Sequence, residues 1–193
     1  MSQTLPLFPL STVLFPGSLL PLRIFERRYL DMIRDCARTG SSFGVVCLLP
    51  ATDQQPAGHS RIGTEAVIED FSTLEDGLLG VSCRGHRRFR VEATRTRDDG
   101  LLVGEVHWLV PAPAVAVPAR FGALQAMMRE LVGMPEVASN IEVDLDQADS
   151  LGFALASLLP LHFTRAQGLL EITDPIERLE QLVLLLQQAE ADD

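Results

Sequence analysis

The chain opens with an apolar segment that is broken by prolines. Pro6, Pro9, Pro16 and Pro21 each lack a backbone donor and fix φ, so this pattern predicts short edge strands and excludes a continuous helix. In Phe15-Pro16-Gly17-Ser18, proline and glycine stand where a tight turn needs them. The segment is therefore predicted to form two short hydrophobic strands that fold back on each other.

After this segment the spacing of apolar residues changes to that of an amphipathic helix. Tyr29, Ile33 and Cys36 recur at intervals of three or four residues, and arginines and aspartates occupy the opposite side. Gly40 follows the last apolar position, as at many helix C-termini. The pattern predicts one helix that begins near Glu26 and ends at Gly40.

A buried strand, a loop and a hairpin are predicted next. Phe43–Leu49 is an apolar run typical of a buried strand. Residues 51–61 are polar and rich in proline and glycine, which predicts a surface loop. Gly63–Phe71 and Leu78–Cys83 are predicted to pair, because Asp76-Gly77 between them is a typical hairpin turn.

From Arg88 onwards apolar and polar residues alternate, which predicts strands with one buried face. Asp99-Gly100 supplies a second hairpin turn. Several short strands with such turns are typical of a twisted, partly closed barrel. The residues predicted to face inward are Phe89, Val91, Ala93, Leu102, Val106, Trp108 and Val110, and those predicted to face outward are Arg88, Arg90, Glu92, Glu105 and His107.

The second part of the chain has the pattern of helices. A stiff connector rich in proline, alanine and valine, residues 110–118, precedes it. Leu151–Leu159 is almost wholly apolar and is predicted to be a buried central helix. Thr164-Arg-Ala-Gln167 predicts a capping box for the next helix. Asp174-Pro175 is predicted to cap the last helix, whose end at residues 189–193 should fray.

Three blocks of the sequence resemble the Lon N-terminal domain family, the substrate-binding domain that precedes the ATPase in Lon proteases and also occurs alone in small bacterial proteins. The blocks are residues 6–29, 63–91 and 158–186, in the order of the family. The resemblance implies an α+β fold, in which a PUA-like β pseudobarrel lobe with one helix, residues 1–111, is followed by a helical bundle, residues 112–193. Both parts would form one Lon N-terminal-like domain.

Charge and composition narrow the classes of partner. A net charge of −10 and a pI near 4.8 weigh against a general affinity for nucleic acid or anionic membrane. The sequence has no apolar run of about 18 residues, and its apolar start lacks a basic n-region, so neither a transmembrane helix nor a signal peptide is predicted. Cys36, Cys47 and Cys83 lie in apolar surroundings, which predicts buried free thiols in a reducing cytoplasm.

The chain contains no lysine, since all 16 basic residues are arginine. This excludes a P-loop, a Ser-Lys protease and Schiff-base chemistry, and the other common catalytic motifs are missing too. His59, His86, His107 and His162 stand singly, without a second metal ligand at helical or strand spacing. The sequence predicts a non-catalytic protein without metal or cofactor. A small hydrolase would require a pocket in which Ser, His and Asp meet.

Phe25, Glu26, Arg27, Arg28 and Tyr29 stand where the apolar segment meets the charged helix. They are predicted to form the rim of a peptide-binding groove, with aromatic anchors and an arginine that grips a carboxylate or a carbonyl. A simpler interpretation places both aromatic residues in the core and the charges on a solvated helix face.

Arg84, Arg87, Arg88 and Arg90 belong to the strongest basic cluster, on strands that in PUA relatives are part of an RNA-binding fold. An RNA-binding module that uses these arginine-rich strands is therefore the alternative function. The simpler interpretation is a strand face that neutralises nearby carboxylates. Phosphate binders usually interleave aromatic residues with the basic ones, and here only Phe89 is near.

The resemblance implies recognition of exposed apolar or unfolded polypeptide segments, in the service of a protease or a chaperone. Such binding requires an exposed apolar patch or a groove, expected at the junction of the two lobes. Neither nucleic acid nor membrane is expected as a partner, and the sequence leaves the oligomeric state open.

Overall fold

The computed structural model describes residues 3–51 and 57–192, with side chains up to residue 188. The chain forms two compact units, Met1–Leu109 and Val110–Asp193. Residues 52–56 of the predicted loop, and the side chains of the tail for which the sequence predicts fraying, lie outside this description.

The first unit contains six strands and one helix. Their bounds are β1 Gln3–Leu10, β2 Leu19–Ile24, α1 Arg27–Thr39, β3 Phe43–Leu49, β4 Gly58–Thr73, β5 Leu79–Thr96 and β6 Leu102–Trp108. The strand order is β2-β5-β4-β3-β1-β6, and β5 also pairs with β6. Five strands therefore close into a ring, to which β2 is attached through β5 alone.

The ring of strands encloses a small apolar core around Phe89. This side chain is fully buried, and its ring meets Trp108 edge-on with 6.0 Å between centroids. Gly44 and Gly63 leave room for it, because a Cβ on either glycine would lie 2.6 Å from Cζ of Phe89. Two positions without side chains thus allow one phenylalanine to fill the interior. The other buried members of this core are Leu5, Leu7, Val46, Val91 and Val106.

The prolines of β1 lie where that strand has a neighbour on one side only. Pro6 is opposite Val103 of β6, before the pairing with β3 begins at Leu7. Pro9 is opposite Val46 of β3, after the pairing with β6 has ended. The missing N–H of each proline therefore interrupts no ladder. The prediction that the first two strands fold back on each other is wrong, since β2 pairs with β5.

The first predicted turn and the predicted helix are confirmed. Gly17 has a φ of 81°, and the amide of Ser18 donates to the carbonyl of Phe15 at 3.1 Å. Helix α1 is followed by Gly40 with a φ of 64°, a left-handed conformation that glycine adopts without strain. The buried face of the helix packs on one face of the sheet. The helix contributes Tyr29, Met32, Ile33 and Cys36 to this second core, and the sheet contributes Phe8, Phe43, Val45, Ala66, Val81 and Cys83.

Two strands are longer than the sequence predicts. Strand β4 begins at Gly58, inside the predicted surface loop, and the hydroxyl of Ser60 is buried there. That hydroxyl accepts from the amide of Cys47 at 3.0 Å and donates to the carbonyl of Ile62 at 2.9 Å, which explains how a polar residue is accommodated. Strand β5 runs without interruption where two strands were expected. Register irregularities allow β4 and β5 to bend around the ring.

Three predicted facing directions are wrong. Arg88 is buried, whereas the alternation places it outside. Ala93 is exposed, and it lies just beyond a shift in the register against β6, after which residues on both faces of β5 are exposed. Val110 is exposed as well, since β6 ends at Trp108 and no longer directs the residues beyond it.

The second unit consists of helices. Their bounds are a short 3-10 helix Ala119–Phe121, α2 Gly122–Val132, α3 Pro135–Ala138, α4 Ala148–Leu158, α5 Phe163–Glu171 and α6 Pro175–Asp192. Helix α4 is buried along most of its length, which confirms the predicted apolar helix of this part. Within the part of the chain that is described, none of the helices has both the length and the apolar character that crossing a membrane requires.

The caps of the last two helices differ in how well the sequence predicts them. His162 caps α5, because its Nδ1 accepts from the amide of Thr164. Gln167 bonds forward to the last turn of the same helix, so the predicted capping box is wrong. Asp174 accepts from the amide of Ile176 at 2.8 Å and confirms the predicted cap of α6.

A buried arginine joins three helices of the second unit. Arg178 of α6 is 0% exposed, and its Nη1 donates to Oδ1 of Asp149, in the first turn of α4, at 2.6 Å. Its Nε and Nη2 donate to the carbonyls of Leu169 and Ile172, at the C-terminal end of α5. The guanidinium lies 3.8 Å from the centroid of the Phe153 ring. Burial lowers the pKa of Arg178, although the Asp149 carboxylate acts in the opposite direction.

Candidate functional site

The two aromatic residues of the predicted groove rim have different surroundings. Phe25 directly follows β2 and is 65% exposed. Tyr29 is buried in the first turn of α1, with its ring 4.0 Å from that of Phe8, and burial raises its pKa. The interpretation that both aromatic residues belong to the core is therefore wrong for Phe25 and right for Tyr29. Phe25 alone of the two offers an apolar surface to another molecule.

The charged residues between them are also unequal. Arg28 is held in place, since it contacts Glu26 at 2.7 Å and donates to the carbonyl of Gly100 at 3.0 Å. The Arg27 side chain is 95% exposed, and its contact with Asp31 is long, at 3.9 Å. Arg27 therefore keeps the freedom to contact a carboxylate or a carbonyl of another molecule.

Part of the first unit extends outside the ring as three strands. We use the term three-stranded extension for residues 19–24 of β2, 79–84 of β5 and 67–73 of β4. Pairing of β4 with β3 stops at Ala66, so its last part pairs with β5 alone. Val67 and Phe71 on this part are 36% and 46% exposed. The extension thus carries apolar surface on β4, and Phe25 follows its other outer strand.

Phe71 does not appear among the site residues that the sequence predicts. It stands between two acidic residues, Glu69 and Asp70, and two hydroxyl residues, Ser72 and Thr73, and it pairs with the buried Val81 of β5. Only the end of the β3 pairing at Ala66 reveals that Phe71 lies outside the ring. The sequence gives no signal of this, because the predicted strands Phe43–Leu49 and Gly63–Phe71 are of similar length.

Two arginines of the basic cluster are bound to glutamates. Arg84 is buried and grips both carboxylate oxygens of Glu69, at 2.8 and 3.0 Å. Arg87 donates to Glu65 at 2.9 Å, and its guanidinium lies 3.9 Å from the centroid of the Trp108 ring. Both arginines therefore direct their charge to carboxylates of the same sheet.

The other two arginines of the cluster differ in exposure. Arg88 is buried, and Arg90 is exposed on β5. Arg84 and Arg88 are buried, and Arg84 and Arg87 form ion pairs with carboxylates, so the arrangement agrees with the simpler interpretation of a face that neutralises carboxylates. A nucleic-acid surface would instead present several exposed basic groups along one track.

Glu65 is a buried carboxylate that its partners keep ionised. Burial raises its pKa, but hydrogen bonds from Arg87 and from the Ser42 hydroxyl, the latter at 2.6 Å, outweigh burial and leave the pKa below its usual value of 4.5. A carboxyl whose pKa is lowered by folding stabilises the folded state above its unfolded pKa. That contribution is lost as the pH falls through the folded pKa.

We expect Glu65→Gln to lower the free energy of unfolding by about 1.5 to 3 kcal/mol at neutral pH, the usual contribution of hydrogen bonds to a charged group. The difference from the unchanged protein should shrink as the pH falls below 4.5, where the carboxyl becomes protonated in the unfolded chain. Urea unfolding at several pH values measures this. The control is Glu92→Gln, at an exposed position. A Glu65→Gln effect that is independent of pH would contradict the conclusion that folding lowers the pKa of Glu65.

The three cysteine side chains are buried thiols, as the sequence predicts. Burial raises the pKa of the Cys83 thiol to about 12, and it raises that of Cys36 as well. Both thiols therefore stay protonated and behave as small apolar core residues. Among the residues that the structure describes, no group of three or more His, Cys, Asp or Glu side chains is placed to hold a metal ion.

A shallow groove lies between α5 and α6 of the second unit. Its volume is about 420 Å³, and its lining mixes apolar residues such as Ile172 and Leu184 with Arg165, Glu177 and Gln181. The groove brings no Ser, His and Asp together, so the hydrolase arrangement is not present there.

Comparison with known proteins is consistent with this architecture. Residues 4–188 match the family model described as the ATP-dependent protease La (LON) substrate-binding domain. The crystal structure of a Lon N-terminal domain protein from Xanthomonas campestris is 45% identical, with a TM-score of 0.77 over 94% of this chain and 98% of that chain. The N-terminal domain of a Mycobacterium avium complex Lon protease, 18% identical with a TM-score of 0.62 over 94% of this chain and 96% of that one, shares the fold.

Full-length relatives are much longer than the region they share with this chain. Lon protease from Cytophaga hutchinsonii is 25% identical over 95% of this chain, which corresponds to 24% of that protein. The chain thus spans about a quarter of the length of such relatives. The predicted α+β fold, with a barrel-like sheet followed by helices, is confirmed by the structural matches. The family model covers nearly the whole sequence, and the chain belongs to the LON substrate-binding domain family.

Proposed function

We propose that this chain binds polypeptide segments that expose apolar side chains, and that it acts as a recognition module without catalysis of its own. The observation that carries the proposal is Phe25, a large apolar side chain that is 65% exposed, two residues before the exposed charge of Arg27. Exposed aromatic residues next to an arginine are typical anchors of protein recognition.

The family supports the same function. Its description names a substrate-binding domain of a protease, and the matched relatives named Lon protease carry this domain within a longer chain. A protease is therefore the partner to which this module would present a bound segment, in the cytoplasm. We also propose that the two lobes of this domain are residues 1–111 and residues 112–193.

We expect Phe25→Ser to weaken binding of an unfolded polypeptide about tenfold. Full burial of a phenylalanine contributes roughly 1.5 to 3 kcal/mol, and about 1.4 kcal/mol corresponds to a factor of ten in affinity. Fluorescence anisotropy with reduced, carboxymethylated lactalbumin, which stays unfolded, measures the effect.

The control for this experiment is Met134→Ser, because Met134 is also half exposed but belongs to the second unit. Binding should stay unchanged in that variant. Equal losses in both variants, or no binding by the unchanged protein, would refute the proposal. Affinity should also vary little between about 50 and 200 mM salt, whereas RNA binding through several phosphate contacts would fall by orders of magnitude over that range.

A further inference from the structure

One edge of the three-stranded extension is open to a further strand. Beyond Ala66, β4 is paired with β5 on one side, and on the other side it has no strand neighbour among residues 3–51 and 57–192. Residues 67–73 are exposed, apart from the half-buried Ile68. An edge of this kind presents backbone N–H and C=O groups at alternate residues, ready to pair with another chain.

The hydrogen bonds of the hairpin show which residues face the open side. The amide of Leu74 donates to the carbonyl of Leu78 at 2.9 Å, so Leu74 directs its backbone toward β5. Successive residues alternate in an antiparallel ladder, so Thr73 points away from β5, and Phe71 does too. The partner of the Phe71 amide is consistent with this direction, since the amide donates to Oδ1 of Asp70 at 2.8 Å and not to β5. The N–H and C=O of Thr73 and the C=O of Phe71 therefore point to where an added strand would lie.

A proline prevents strand addition at the opposite edge of the extension. Strand β2 carries Pro21, which is exposed and cannot donate a hydrogen bond. A proline on an edge strand blocks the addition of another strand. Residues 67–73 contain no proline. One outer strand of the same extension is thus protected from pairing, and the other is not.

The side chains beside the open edge indicate what kind of segment fits. Phe71 lies next to buried Val81 and is 46% exposed, so an apolar side chain of the added strand would cover it. The hairpin also carries the exposed carboxylates Asp70 and Glu75, outside the ion pairs that bind its other two acidic residues to arginines. An added strand with basic residues would match them in charge.

We infer that a bound polypeptide adds to residues 67–73 as an extra β-strand, with an apolar residue against Phe71 and a basic residue near Asp70. The inference rests on the proposed function and names the conformation and composition of the segment. The backbone of Thr73 supplies hydrogen bonds that do not depend on sequence, and the two side chains supply the preference. Binding of this kind suits unfolded chains, because their backbone N–H and C=O groups are free to pair along an extended segment.

The first test replaces Thr73 by proline and measures binding of a synthetic peptide of alternating valine and arginine. Thr73→Pro removes an N–H that faces away from β5, so the sheet should persist while the added strand loses its donor and meets the proline ring. We expect affinity to fall at least tenfold. Thr73→Val is the matched control, since it keeps the N–H and the branched shape, and its affinity should stay within about twofold of the unchanged protein.

A second measurement does not depend on the folding of any variant. The same peptide, methylated on alternate backbone nitrogens, keeps its side chains but cannot pair along one edge. Its binding to the unchanged protein should be lost. In hydrogen exchange, the amide of Thr73 should become protected when the unmodified peptide binds, whereas the amide of Ser72, which faces β5, should not change.

The outcomes separate this inference from the proposed function. If Thr73→Pro remains folded and both it and the methylated peptide give unchanged affinities, strand addition is wrong, while a loss in Phe25→Ser would still support polypeptide binding. If a peptide of alternating valine and glutamate binds as well as the arginine peptide, the role of Asp70 and Glu75 is wrong. If no unfolded polypeptide binds the unchanged protein, the proposed function itself fails.

Discussion

Arg178→Met is expected to lower the free energy of unfolding of the second unit by about 3 kcal/mol, near the lower end of the roughly 3 to 5 kcal/mol found when one partner of a buried ion pair is removed. The variant leaves the carbonyls of Leu169 and Ile172, and the carboxylate of Asp149, without their donor. The value lies at the lower end because the Asp149 side chain is 32% exposed and water reaches it. Urea unfolding followed by circular dichroism measures the loss.

Two further variants make this experiment specific. Arg129→Met changes an exposed arginine of α2 and should alter stability by less than about 0.5 kcal/mol. Arg178→Lys keeps the charge but lacks the planar fork that reaches three acceptors, so its loss should be intermediate. If all three variants are as stable as the unchanged protein, the buried arginine is not what holds α4, α5 and α6 together.

Phe89→Ala is expected to lower the free energy of unfolding of the first unit by about 3 to 5 kcal/mol, the usual range for emptying a phenylalanine site in a core. The cavity would open inside the ring of strands. Gly44 and Gly63, which line it, have no side chains that could move in to fill it. The backbone of a closed ring also resists collapse, so we expect the upper part of the range.

Phe71→Ala is the matched control for Phe89→Ala, since it removes the same side chain from a neighbouring strand. Phe71 is 46% exposed, so its removal should cost about 1 to 1.5 kcal/mol, well below the loss in Phe89→Ala. Urea unfolding of both variants, followed by the fluorescence of Trp108, gives the comparison. Similar losses would show that the interior of the ring is no more tightly packed than the extension.

Much of the fold was predictable because local chemistry decides it. Gly17, Gly40, Gly77 and Gly100 all adopt positive φ, as their places in predicted turns and at a helix end require. The apolar period of α1 and the apolar run of β3 gave their bounds within about two residues. At each of these places the local preference and the tertiary structure agree.

The errors in the sheet share one cause, which is that the sequence of a strand does not reveal its partners. Phe89, at the centre of the ring, and Phe71, on an open edge, are both phenylalanines of predicted strands. The register of β5 against β6 shifts between Val91 and Ala93, residues 92–99 are all exposed, and no composition rule marks where this begins. Arg178 was missed because an arginine on a helix is usually solvated, and three acceptors from two other helices make it an exception.

The sequence by itself determined the family, most of the strands and helices along the chain, and the residue types available for chemistry. It excluded every mechanism that needs a lysine. The tertiary structure alone decided that Phe25 is exposed while Tyr29 is buried. It also decided that β4 extends beyond the end of its pairing with β3, which leaves an edge open. Local propensity acts over a few residues, whereas exposure depends on which distant segments pair, and that is fixed only when the whole sheet has formed.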